Sequence, residues 1–156
     1  MSVTPFLWFH VHAEDAAAFY VSLFPQSRIR HTVMTNSAIP GDDDGVLTVD
    51  FELDGQRIIA MNGGPAFTLD EAFSLSVEVD GQEEVDRLWD ALTADGGEPS
   101  RCGWLRDRFG LSWQIIPREL HQLMADPDPE RASRAAAAMM TMGKIDVAAL
   151  RAAADG

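Results

Sequence analysis

The order strand, helix, strand, strand, strand occurs twice along this chain, and that duplication restricts its possible folds more than any other feature. Phe6-Leu7-Trp8-Phe9 is a short aromatic and aliphatic run that reads as a buried strand. Ala13 to Phe24 then carries Ala16, Phe19, Tyr20, Leu23 and Phe24 at helical spacing, and Pro25 stops it. Extended stretches follow at 28–36, 46–53 and 56–62. Between the last two, Asp54-Gly55 signals a two-residue hairpin turn. Between the first two, the polar segment from Ile39 to Gly45 reads as an exposed loop.

The second copy opens with Phe73, Leu75, Val77 and Val79 alternating with Ser74, Ser76 and Glu78, a strand with two unlike faces. Asp80 with Glu83 three residues on predicts a capping box. Val85, Leu88, Trp89 and Leu92 then form an apolar stripe for packing on a sheet, and Gly96-Gly97 ends the helix. Extended pieces at 98–102 and 103–106 precede the turn Asp107-Arg108-Phe109-Gly110 and a last strand at 111–117. The expected fold is α+β, one domain over 1–156, with βαβββ modules at 3–65 and 72–118. Each module leaves one sheet face uncovered by its own helix. Two such sheets can pair around a hollow able to hold a ligand.

A tail over 119–156 follows. Pro129 suits the first position of a helix running from Glu130 to Met142, and Asp146 caps a second ending at Ala154. Met139, Met140, Met142, Ile145, Val147 and Leu150 need a surface to cover, either this chain's own sheet or a partner subunit.

With 156 residues, 46% hydrophobic and 24% charged, the chain can bury a sizeable core. No apolar run approaches the ~18–20 residues that span a bilayer. Met1 to Pro5 lacks the basic-then-apolar order of a signal peptide, and the single Cys102 cannot form an internal disulfide. These features point to the cytoplasm. A net charge of −13 opposes nucleic acid and anionic membranes as partners; the acidity serves solubility and identifies no substrate.

Several segments carry a family resemblance. Thr4-Pro5-Phe6-Leu7-Trp8-Phe9 with Ala18-Phe19-Tyr20-Val21-Ser22-Leu23-Phe24-Pro25 resembles the opening of the PhnB-like branch of the vicinal oxygen chelate superfamily. Met61-Asn62-Gly63-Gly64-Pro65, the stretch from Asp107 to Ile115 and the tail segment from Met142 to Leu150 match further. The resemblance implies paired βαβββ modules of glyoxalase/bleomycin-resistance type, a cup-shaped cavity and a homodimer. The branch is also described as 3-demethylubiquinone-9 3-methyltransferase-like. A nucleotide-like cofactor calls for a Gly-rich loop leading from strand to helix, whereas Gly63-Gly64 here is followed by Pro65.

Relatives that bind metal place His or Gln at the start of the first strand, Glu on the fourth, His at the start of the fifth and Glu on the last. By the resemblance, those places here hold Pro5 or Phe6, Ile59 or an apolar neighbour, Ser74 and Gln114. One amide oxygen and one hydroxyl are too few donors for a divalent ion, so neither metal nor other cofactor is expected. His10 and His12, at i and i+2, would face the same way on a strand and could grip an ion. They lie where strand gives way to helix, which favours exposed histidines instead. His31 and His121 have no neighbours at ligand spacing.

Strand alternation turns Leu75, Val77 and Val79 to the helix and Ser74, Ser76 and Glu78 to the open face. Guided by the resemblance, Ser112, Gln114 and Ile116 face inward on the last strand. Trp89 belongs to the core stripe, and Trp104 is placed either to stack on a ligand or to pack. Phe9 and Met61, near two strand ends of the first copy, join Ser74, Ser76, Trp104 and Gln114 as the candidate ligand-contacting set. Arg101 and Arg106 flank Cys102, yet no His stands beside it in sequence, so it reads as an inert thiol. Asp42-Asp43-Asp44 lacks the spacing and closing Glu of a calcium loop.

Neutral donors and acceptors of this kind suit a polar or carbonyl-bearing small organic molecule, bound without a metal. Three alternatives stand beside that reading. One is a metal-dependent lyase, isomerase or dioxygenase using His10, His12 and unplaced carboxylates. The others are a methyltransferase and a structural module whose cavity is filled by side chains.

Overall fold

The computed structural model describes residues 1–36 and 45–156. Ile39 to Asp44, including the Asp42-Asp43-Asp44 run, lies outside the described residues. The fold is α+β, with two four-stranded sheets and, among the described residues, five α-helices. The chain divides into two compact units, Met1–Leu69 and Asp70–Gly156. Among the described residues no helix is long and apolar enough to cross a membrane.

The first unit runs β1 (Phe6–Phe9), α1 (Ala13–Leu23), β2 (Arg28–Met34), β3 (Val46–Leu53) and β4 (Gln56–Asn62). Its sheet has the order β1-β4-β3-β2, with β1 parallel to β4 and the other pairs antiparallel. Asp54 and Gly55 both take positive φ, 45° and 85°, as a right-twisted two-residue hairpin demands. The helix packs on β3 and β4 through Ala13, Ala16, Ala17 and Tyr20. That face differs from the expected one, for Phe19 is only half-buried. Small alanines let α1 approach the sheet closely, and the Tyr20 ring then meets Phe51 at 6.4 Å. Asn62 fastens three elements at one corner. Its Oδ1 accepts from Ala13 N at 2.8 Å, while Nδ2 donates to Val46 O and Glu14 Oε2, also at 2.8 Å.

On the uncovered face of this sheet, charges neutralise one another. Arg57 donates twice to Asp50, Arg30 reaches both Asp50 and Glu52, and Arg28 reaches Glu52. The Arg57 hydrogen bond, against the opposing effect of burial, holds the Asp50 carboxyl below its ordinary value.

The second unit repeats the first with β5 (Ser74–Val79), α2 (Gly81–Thr93), β6 (Glu98–Pro99), β7 (Trp104–Arg106) and β8 (Ser112–Pro117). The order β5-β8-β7-β6, with β5 parallel to β8, is the same arrangement. Val85, Leu88, Trp89 and Leu92 are the buried face of α2, as their spacing predicts. The expected capping box does not form: no side-chain bond from Asp80 caps α2. Its carboxylate instead meets Arg118 at 2.8 Å, a charge-assisted contact that outcompetes a neutral amide donor.

Asp107 closes the turn between β7 and β8 from inside. It is 3% exposed; Oδ1 accepts from Phe109 N and Leu111 N at 2.8 and 3.1 Å, and Oδ2 from Trp113 Nε1 at 2.8 Å.

The tail forms α3 (Arg118–Met124), α4 (Pro129–Met139) and α5 (Val147–Asp155), so the second of these ends three residues short of the expected Met142. Asp128 and Asp146 cap α4 and α5 through Glu130 N and Ala149 N. The tail covers its own unit. Ile116, Leu120, Ile145 and Leu150 form one buried cluster, flanked by Met139 and Met142. Cys102 N and Gly103 N donate to Met142 O and Gly143 O at 2.8 Å. Gln82 grips the backbone on both sides of Asp146, at Ile145 O and Val147 N. Ile116 is therefore not a free inward-facing position, because the tail needs an apolar anchor and takes it.

Two outcomes follow for stability. Asp107→Ala strands three donors, two of them buried, and is expected to cost about 3 kcal/mol in urea unfolding, whereas exposed Arg106→Ala costs about 0.5 kcal/mol or less. For Asp50 the folded-state value is lowered, so its contribution is complete at neutral pH and disappears as pH falls through that value. The difference in Tm between wild type and Asp50→Asn should accordingly be largest at neutral pH and close towards acid.

Candidate functional site

The phase of β8 decides which side chains meet on the open face of the second sheet. Leu105, Trp113 and Ile115 are buried on the α2 side, at 2%, 1% and 0% exposure. Alternation then sends Ser112 and Gln114 the other way. Register sets Ser76, Gln114 and Trp104 in one row across three strands, and Ser74, Ser112 and Arg106 in the next. Gln114 Nε2 donates to Ser74 Oγ at 2.9 Å across the row boundary, which confirms that these side chains share a face.

Four of the six residues singled out from the sequence thus come together: Ser74, Ser76, Trp104 and Gln114. Trp104 is held by its neighbour Gly103, whose φ of 83° and close approach to Ile115 O leave no room for a side chain. The neighbouring Arg106 is paired with Glu98 at 2.8 Å. At the far end of the face, Glu78 is held below its ordinary value first by His121 and then by Arg118. This charged end lies beside the tail, while the rows at Ser74 and Ser76 carry hydroxyl, amide and indole groups together with the Glu98-paired Arg106.

The other two residues belong to the first unit, in different surroundings. Phe9 is 3% exposed and shares the helix-facing side of β1 with Leu7, so it is core rather than an open-face contact. Alternation gives the open face of β1 to Phe6 and Trp8. Met61 pairs with Trp8 and Thr48 in register and lines a cleft of about 810 Å³. Trp8, His10, His12, Glu14, Val46 and Asn62 also line it. Trp8 lies outside the candidate set drawn from the sequence, and the glycines downstream are the signal for it. Its Nε1 donates to Gly64 O at 2.9 Å, and a Cβ at Gly63 would lie 2.2 Å from the indole. Phe67 meets the same ring edge-on at 5.0 Å.

The histidines do not form a chelating pair of strand type. β1 ends at Phe9, and His12 has a left-handed backbone with φ 71°; its Nδ1 lies 3.0 Å from Asp15 Oδ2. His31 stands opposite Asp50 in register, and His121 Nδ1 lies 2.7 Å from Glu78 Oε2. Among the described residues no group of three or more His, Cys, Asp or Glu side chains is arranged to hold a metal ion. Cys102 is half-buried, with its thiol 3.8 Å from Met140 Sδ.

The positions that the superfamily uses for metal can be tested by residue type. Phe6 and Ile59, register partners in the first unit, offer no donor atoms. Ser74 and Gln114 in the second offer a hydroxyl and an amide already bonded to each other. These groups do not fit a divalent ion, which needs several anionic or imidazole donors.

Comparison with known proteins agrees with this architecture. The family described as 3-demethylubiquinone-9 3-methyltransferase matches residues 1–116, which leaves the helical tail outside the match. The PhnB protein of Bacillus cereus is 32% identical, covering 75% of this chain and 99% of its own, with a TM-score of 0.69. A protein of Pseudomonas aeruginosa is 21% identical over 75% of this chain and 97% of its own, with a TM-score of 0.63. The fosfomycin resistance protein FosX of Listeria monocytogenes, solved with Mn(II) and sulfate, shares the fold. Its identity is 15% over 74% of this chain and 89% of its own, at a TM-score of 0.54. No curated protein matches. The 116 matched residues and the 32% identical relative lead to one assignment: the chain belongs to the 3-demethylubiquinone-9 3-methyltransferase-like, or PhnB-like, family.

Proposed function

We propose that this protein binds a small, neutral, polar organic molecule on the open face of β5, β8 and β7, without a resident divalent metal. The observation that carries the reading is the row Ser76–Gln114–Trp104 beside the Gln114–Ser74 hydrogen bond. Such a surface offers hydroxyl donors, an amide oxygen and an indole against which a flat body can lie. On the first sheet's open face, by contrast, the charges around Asp50 and Glu52 are already spent on one another, and the cleft at Trp8 and Met61 adjoins His10, His12 and Glu14 rather than neutral donors alone.

A methyl transfer, which the family description names, would need a place for a nucleotide-like cofactor. Gly63 and Gly64 lead through Pro65 into a turn rather than into a helix, so no helix N-terminus stands behind them to receive an anionic group. Measurable binding of S-adenosylmethionine would restore that reading. The resemblance also carries the expectation of a homodimer, which sedimentation equilibrium measures directly.

Elemental analysis of untagged protein purified without chelators is the first test. Less than about a tenth of a zinc, nickel, iron or manganese ion per chain is expected; about one per chain would overturn the metal-free reading. A thermal-shift screen of neutral carbonyl compounds is the second. Any compound that raises the Tm should bind about five- to tenfold more weakly to Gln114→Ala and to Trp104→Ala, the loss of about 1 kcal/mol for one hydrogen bond or one aromatic contact. Failure of every compound to shift the Tm would favour a cavity filled by side chains.

A further inference from the structure

Ser112 stands beside this row and finds no hydrogen-bond partner within the protein. It is 1% exposed, and its Oγ is buried with no hydrogen-bond partner. A buried hydroxyl left unpaired costs stability, so folded chains rarely keep one unless something absent from the protein itself completes it. Ser112 lies in register with Ser74 on the neighbouring parallel strand. Gln114 Nε2 donates to Ser74 Oγ, and that contact occupies an acceptor site on the hydroxyl while leaving its proton free to be donated elsewhere. Two hydroxyl donors therefore stand side by side on one face.

From this arrangement we infer that Ser112 and Ser74 together form a subsite for the carbonyl oxygen of the bound molecule. Adjacent strands lie about 4.8 Å apart. An oxygen about 2.8 Å from each of two hydroxyls can bridge a gap of up to about 5.6 Å, so one acceptor atom spans them once the groups that bury the Ser112 Oγ give way to it. A carbonyl oxygen has two lone pairs and can take both bonds at once. The donation from Gln114 polarises the Ser74 hydroxyl and strengthens the bond it gives. No net positive charge stands free in the pair of rows, since Arg106 is matched by Glu98, which favours a neutral ketone, aldehyde or amide over a carboxylate. The inference rests on the small-molecule reading above and specifies its chemistry.

The test uses two probes of one shape on the full chain: acetophenone, and α-methylstyrene, in which a methylene replaces the carbonyl oxygen. Titration followed by NMR should give wild type about a tenfold preference for the ketone, equivalent to about 1.4 kcal/mol. In Ser112→Ala that preference should fall to near one, and Ser74→Ala should lose most of it as a second variant. Because the hydroxyl is unpaired in the free protein, Ser112→Ala is expected to keep or raise the Tm without probe. A clear fall in Tm would mean that Ser112 already has a structural partner, and the inference would be wrong. Binding of both probes to wild type without preference would overturn the carbonyl subsite and leave the small-molecule reading standing. Binding of neither would overturn that reading itself.

Discussion

One buried carboxylate sets the phase of the strand on which the site depends. Asp107 receives two backbone amides of its own turn and the Trp113 indole, so the turn and the first pleat of β8 are locked together. With Trp113 tied to the α2 side, period-two alternation leaves Ser112 and Gln114 only the open face. A shift by one residue would turn the polar pair towards the helix and the indole towards the open face. Three donors, one of them a side chain, hold a group that would be costly to bury alone.

The same topology serves two different surfaces. In both units the first strand lies parallel to the last, and a helix covers one face. The first sheet pairs Asp50 and Glu52 with three arginines on its other face, a network that stabilises above the acid range, and carries beside it the cleft at Trp8 and Met61. The second presents hydroxyl, amide and indole groups and one paired arginine over two rows and gives its lower end to the tail, which anchors on Ile116 and straps across to Gln82. Chemistry is thus distributed by side chain and not by fold, as expected where one architecture carries many activities.

Much of this was legible in the chain itself. The twofold strand-helix-strand order, the Asp54-Gly55 hairpin, the buried stripe of α2 and the caps at Asp128 and Asp146 follow from periodicity and local turn chemistry, which need no distant partner. So does the direction of Ser74 and Ser76, because only their neighbours on β5 are apolar. Local patterning is overridden where a tertiary partner binds more strongly than a local one. Asp80 left its helix for Arg118, and Ile116 went to the tail. Phe9 sank into the core because the open face of β1 fell to Phe6 and Trp8.

The sequence by itself determined the elements, their order and the residue types available at each place, for those depend on spacing and intrinsic conformational preference. It also determined that the superfamily's metal positions hold too few donors. Only the tertiary structure decided which side chains became neighbours. The Gln114–Ser74 bond joins residues 40 apart in sequence, the Ser112 hydroxyl is left unpaired, and the Asp107 hub takes its third donor from the next strand. Register and burial are properties of the assembled sheet: a hydroxyl is satisfied or stranded only once every neighbouring strand has taken its place.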